Sequence, residues 1–209
     1  MGPVGFDWNV VVVGFWNPAI LTPAGIGRRL FELEQGTPVE LEVPMDGLAP
    51  YRVSHEEITV TAERGRLTVY AKKPNYVLLD RARSVAIRAM EGLPETPLSA
   101  AGFNIRIKVE SLPESLIPAI TPQFDALLSD ADFAIETRVL GRTLKQGDGA
   151  LNLSIEQTEN LKVILNFHRQ STKTTELVSW LRQPMDSVQS TVSRVFEKVI
   201  GIPLGELGK

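Results

Sequence analysis

The chain has 209 residues, with 43% hydrophobic and 22% charged side chains, a formal net charge of −3 and no cysteine. A chain of this length and apolar content buries a core without metal or disulfide, and the missing thiols exclude zinc ribbons, disulfide frameworks and cysteine nucleophiles. A slightly acidic chain also lacks the overall basic excess that phosphate neutralisation asks of a dedicated nucleic-acid binder.

In chain order, the first apolar run has no basic leader ahead of it, and Asp7 and Asn9 interrupt it. It does not read as a signal peptide, and no run approaches the ~20 residues of a membrane span. The expectation is a cytoplasmic protein without membrane contact. Residues 8–16, rich in Val and aromatics, predict a buried strand. Thr22 is a good N-cap and Pro23 suits the first helical position, so a helix is expected over 23–34, stopped by Gly36. In "PVELEVP", Val39, Leu41 and Val43 alternate with Glu40 and Glu42, which predicts a strand with a dry and a wet face. "PMDGLAP" is a turn-rich break, and "YRVSH" a short edge strand. "EITVTAERGRLTVYAKKP" predicts a hairpin turning at "RGR", with Ile58, Val60, Ala62, Leu67, Val69 and Ala71 inward. Residues 75–91 form an amphipathic helix ended by Gly92. "LPETPLSAAG" reads as a linker.

The order then starts again. "FNIRIKVE" predicts a strand with Phe103, Ile105, Ile107 and Val109 inward. "LPESLIPAITPQFDALLSD" is helical, broken by Pro118 and Pro122. "ADFAIETRVL" predicts a strand with Phe133, Ile135 and Val139 inward, and "GRTLKQGDGA" a long turn. A second hairpin turns at "TEN", with Leu151, Leu153 and Ile155 facing Leu161, Val163, Leu165 and Phe167. Residues 172–200 are helical and split or kinked at Pro184.

Helices that follow hairpins, rather than alternating with single strands, predict an α+β fold with a mostly antiparallel sheet and helices on one face. Two pseudo-repeated β-α-β-β-(β-)β-α halves, 1–97 and 98–209, would form one continuous unit. This element order resembles the TATA-binding-protein-like topology. The likeness lies in order alone, so no functional residue carries over from it.

"VVVVGFWNPAILTPAGIGRRLFE", residues 10–32, has the outline of a phosphate-binding loop, but Gly14 stands alone and no lysine follows at phosphate-loop spacing. It reads as strand, loop and capped helix. His55, in "SHEE", sits at a strand junction, and His168 falls on a polar strand face. With no H-x-x-x-H or H-x-H spacing, neither a metal nor a cofactor is expected. No G-x-S-x-G elbow or D-x-D-x-D-G loop occurs, so no catalytic residue is assigned. Outward strand positions mix both charge signs and carry a single aromatic, Tyr70, which suits a solvated or protein-contacting face. A basic subset, Arg64, Arg66, Lys72, Lys73, Arg106, Lys108, Arg138, Arg142 and Lys145, would serve nucleic acid if it clustered. Trp16, His55 and His168 are candidates for a small-ligand or hydrolytic site. Ile200, Ile202, Leu204 and Leu207 form an apolar tail that packs at home or on another subunit. The reading that follows is a non-catalytic protein-interaction or assembly subunit that self-associates. The alternative is a nucleic-acid binder, and a ligand-binding protein or hydrolase comes third.

Overall fold

A computed structural model describes residues 2–45, 49–121, 123–205 and 207. The chain is α+β, and the described residues form a nine-stranded sheet and six α-helices. The strands are β1 (Val4–Gly14), β2 (Glu40–Glu42), β3 (Arg52–His55), β4 (Ile58–Ala62), β5 (Arg66–Ala71), β6 (Leu98–Val109), β7 (Arg138–Gln146), β8 (Gly149–Gln157) and β9 (Leu161–Gln170). The helices are α1 (Pro23–Arg29), α2 (Tyr76–Gly92), α3 (Ile117–Ile120), α4 (Gln123–Asp130), α5 (Thr174–Leu181) and α6 (Met185–Val195). The sheet runs β2-β3-β4-β5-β1-β6-β9-β8-β7, and every pairing is antiparallel.

The period-2 alternation of the strands turns into two rows that cross the whole sheet. Leu41, Val53, Val60, Val69, Val10, Phe103, Phe167, Leu151 and Leu144 are cross-strand partners from edge to edge. The seven inner members of this row are buried. They lie under α2, packed on β5 and β1, and α5, packed on β6 and β9. Burying each such side chain contributes about 1.5–3 kcal/mol, so this row and its neighbours are the main source of stability. Phe103 and Phe167 stack at 4.8 Å in the middle of the sheet. One position along each strand, on the other face, runs a polar row: Glu40, Ser54, Thr59, Tyr70, Asn9, Asn104, Asn166, Asn152 and Thr143.

Both expected hairpins form, and their apolar positions are buried as the alternation requires. α2 is capped by Asn75, whose side chain accepts from Leu78 N, and α1 by Thr22, which accepts from Gly25 N. Pro184 separates α5 from α6, and a π-helical turn at Phe196–Ile200 prolongs α6.

Four expectations are corrected. α1 ends at Arg29, because Leu30 and Phe31 close it by bonding back to the Ile26 carbonyl. Residues 98–102 are no linker but the first half of β6, a central strand lodged between β1 and β9. Small residues there admit close backbone approach: a Cβ on Gly102 would lie 2.0 Å from the Phe167 carbonyl oxygen. Residues 138–146, expected as the end of one strand and the start of a long turn, are one strand, and only Gly147 and Asp148 form the turn. Phe133 is exposed rather than inward, and so is Val139, which pairs with Glu156 on the polar face while Leu140 pairs with the buried Ile155; Leu41 and Val43 at the opposite edge are exposed too. Edge strands have one neighbour and little helix above them, so alternation there does not guarantee burial. The break assigned to Pro122 and the centre of the turn-rich stretch, 46–48, lie outside the described residues.

The apolar tail folds back on its own chain. Ile200 and Leu204 are buried, and Ile202 and Leu207 pack against the same core. No helix among the described residues is long and apolar enough to cross a membrane.

Candidate functional site

The polar face is less wet than its composition suggests. Asn9, Ser54, Thr59, Thr61, Thr68 and Asn104 are all buried. The amides bond to one another across five strands. Thr143 Oγ1 donates to Asn152 Oδ1 at 2.9 Å, and Asn152 Nδ2 donates to Asn166 Oδ1 at 2.9 Å. Asn166 Nδ2 then donates to Asn104 Oδ1, and Asn104 Nδ2 to Asn9 Oδ1, each at 2.8 Å. Asn9 Nδ2 ends the chain on the Asp7 carbonyl at 3.2 Å. Asp7 sits at a bulge in β1 with φ of 49°, a left-handed conformation that asparagine and aspartate tolerate best. Its carboxylate is held by Arg106 Nη1 at 2.7 Å. The chain is directional and runs across the junction of β1 and β6, so it fixes the register of the two central strands.

The basic subset does not gather. Arg66 lies opposite Val13 near the C-terminal end of β1, while Lys108 lies opposite Val4 at its N-terminal end. Arg142 is in register with Leu153, on the helix side of the sheet, and Lys145 with Ala150, on the polar side. Five of the nine are already matched by carboxylates: Arg66 by Glu63, Lys72 by Glu40, Lys73 by Glu57, Arg106 by Asp7 and Arg138 by Asp125. Lys72 holds the Glu40 carboxyl below its usual range by hydrogen bond and charge. Arg64 lines a cleft beside Trp16, described next.

Trp16, His55 and His168 lie in three places. Trp16 is buried, donates its indole N–H to the Val12 carbonyl, and walls a largely apolar cleft of about 680 Å³ with Phe15, Pro18, Leu93 and Pro97. His55 packs against Phe31 at 5.7 Å over a small cleft that Asp80, Ser84 and Arg88 also line. Ser84 there donates to the Asp80 carbonyl, and Glu56 is ion-paired to Arg81. His168 stands on the polar face between Gly102 and Ala150. Among the described residues no group of three His, Asp or Glu could hold a metal ion.

Glu176, on α5, accepts from Ser171 at 2.9 Å, Arg169 at 3.0 Å and Lys173 at 2.9 Å. These bonds, Lys173 first, bring its carboxyl from 4.5 to about 2. A pKa depressed on folding gives stability that is present above pH 4.5 and lost as pH falls towards 2. Glu176→Gln is therefore expected to lower the thermal midpoint at neutral pH, with the difference from wild type closing between pH 4.5 and 2 in a melting series.

The surface least accounted for by the fold is the β7 edge. β7 ends the strand order and, among the described residues, pairs only with β8. α3 packs against it, and α4, which buries none of its residues, is tied to it by Asp125 and Arg138 at 2.6 Å. Phe124, Leu127, Phe133 and Val139 are 63–65% exposed. Reading 138–146 as half strand and half turn hid this edge; Val139 and Leu144, five positions apart, fall on opposite faces and give no alternation to reveal it. Asn9 was also missed, although a lone amide inside "WNVVVV" is a signal for a polar partner across the sheet. No family model, no curated protein and no solved structure matches this chain.

Proposed function

We propose that this chain is a non-catalytic assembly subunit that associates with copies of itself through the edges of its sheet. The observation that carries the reading is β7, nine residues long, with no second strand paired to it among the described residues and flanked by α4, none of whose residues is buried. Long open edges with apolar side chains invite another strand, and monomers ordinarily blunt them. Charge selects the occupant. β7, "RVLGRTLKQ", carries three cations and no carboxylate; Asp125 matches Arg138, and Arg142 and Lys145 set two β7 strands against one another. The opposite edge, β2, is "ELE", with an exposed Leu41 and two carboxylates that Lys72 and Arg52 bridge yet leave 73% and 69% exposed. A second copy offering β2 to β7 matches sign to sign and extends the sheet head to tail, which builds a ring or an open filament.

The two halves, 1–97 and 98–209, are taken as pseudo-repeats in a TATA-binding-protein-like order. Supporting this, β1 and β6 lie side by side at the centre, and from each the strands of its own half run outward with the last one first. Such an arrangement places the edges β2 and β7 at equivalent ends.

Light scattering on a dilution series tests the association. The expected mass exceeds the monomer's 23.0 kDa, rises with concentration and falls as salt screens the edges. A mass of 23.0 kDa at every concentration and at low salt would remove the proposal.

A further inference from the structure

Four buried side-chain polar atoms lack a hydrogen-bond partner among the described residues, and two of them belong to residues that line one cleft. They are Arg169 Nε and Trp180 Nε1, both N–H donors. The cleft, about 360 Å³, lies where the β7–β8 turn meets α5, and Asp148, Glu176 and Ser179 also line it. Buried donors are normally satisfied, so a pair of orphans in one recess marks a place for an acceptor oxygen. Trp180 is well fixed there: a Cβ on Gly149 would come within 2.7 Å of its ring, so the indole rests directly on the hairpin backbone. The other two tryptophans use their indole N–H groups internally, Trp8 on the Arg106 carbonyl and Trp16 on the Val12 carbonyl.

We propose that this recess binds a small neutral ligand through an amide carbonyl, whose oxygen accepts from Trp180 Nε1 and Arg169 Nε together. The charges select against an anion. Arg169 already spends its terminal nitrogen on Glu176 at 3.0 Å, and Asp148 adds a second carboxylate at the rim. A carboxylate ligand would meet both; a carbonyl brings the lone pairs without the charge. Neither nitrogen is open to bulk water, so the oxygen enters as the Arg169 side chain gives way and gains two bonds that solvent does not supply. The amide belongs to a free small molecule or to the backbone of a peptide, and chain length in the probe separates these sources.

The test is an NMR titration that follows the three indole N–H signals of the intact chain. The probes are acetamide, N-acetylglycinamide, a capped tetraglycine and sodium acetate. The Trp180 signal is expected to move saturably with the amides, while those of Trp8 and Trp16 stay in place and acetate has no effect at equal ionic strength. Tighter binding of acetamide or N-acetylglycinamide points to a small molecule, and tighter binding of the tetrapeptide to a peptide; either supports the site. Arg169→Lys keeps the charge opposite Glu176 but removes Nε, and should weaken the amide about tenfold, one hydrogen bond's worth. A Trp180 signal that stays still, moves without saturating or responds equally to acetate would overturn the proposal.

Discussion

Gly102→Ala is expected to destabilise the protein by about 3 kcal/mol or more, with failure to fold at 37 °C as the extreme outcome. The added Cβ would sit 2.0 Å from the Phe167 carbonyl oxygen and 3.1 Å from its carbon. These are backbone atoms of β9, so no side chain can swing aside. Relief requires β6 and β9 to part, and both are central: β6 pairs with β9 along Ala100 to Val109 and with β1 on its other side. Separation would also loosen the Phe103–Phe167 stack one residue away. Gly65 is the matched control. It lies in the β4–β5 turn with nothing near its Cβ position, so Gly65→Ala should stay within about 0.5 kcal/mol. Urea unfolding of the three proteins measures this. A Gly102→Ala variant as stable as wild type would mean that the central strands are not so closely apposed.

The second large effect is expected from the amide chain. Asn104→Ala removes the acceptor for Asn166 Nδ2 and the donor to Asn9 Oδ1. Asn9 is 3% exposed, so water cannot replace what it loses. The expected cost is about 3 kcal/mol, dominated by the unpaired partners rather than by the bonds themselves. That asymmetry makes a double-mutant cycle informative. Asn9→Ala combined with Asn104→Ala should cost about 1 kcal/mol less than the two single changes added together, because the second removes a group the first had orphaned. Additive costs would show that the two amides do not depend on one another. By contrast, Asn152→Ala, further out on the half-buried part of the row, should cost less than either.

The interior of this fold was legible where alternation met full burial. The hairpins 58–71 and 151–167 and the strand from Phe103 could be read from side-chain type because both their neighbours and a helix lie against them. Legibility failed at the margins of the sheet. Leu41 alternates correctly yet stays exposed, since periodicity reports a face but not what covers it, whereas Val139 lies on the polar face in register with Glu156. It failed again at the small residues of "PLSAAG": glycine and alanine imitate a linker, whereas here they let β6 lie close against β9. The asparagines were visible one by one as polar positions. Their joining into a chain depends on registers among β1, β6, β8 and β9, which are set by long-range pairing. The same holds for Arg169 and Trp180, eleven positions apart in the chain and brought to one recess by the return of α5 over β9.

The head-to-tail contact is tested most directly by reversing the charge of each edge separately. One variant carries Glu40→Lys and Glu42→Lys, so that β2 becomes basic like β7; the other carries Arg142→Glu and Lys145→Glu, so that β7 becomes acidic like β2. Each alone should remain at the 23.0 kDa of a single chain in light scattering, and an equimolar mixture should assemble, because opposite edges meet again. A β2-reversed variant that assembles by itself as wild type does would contradict the account, since β2 would then have no part in the contact.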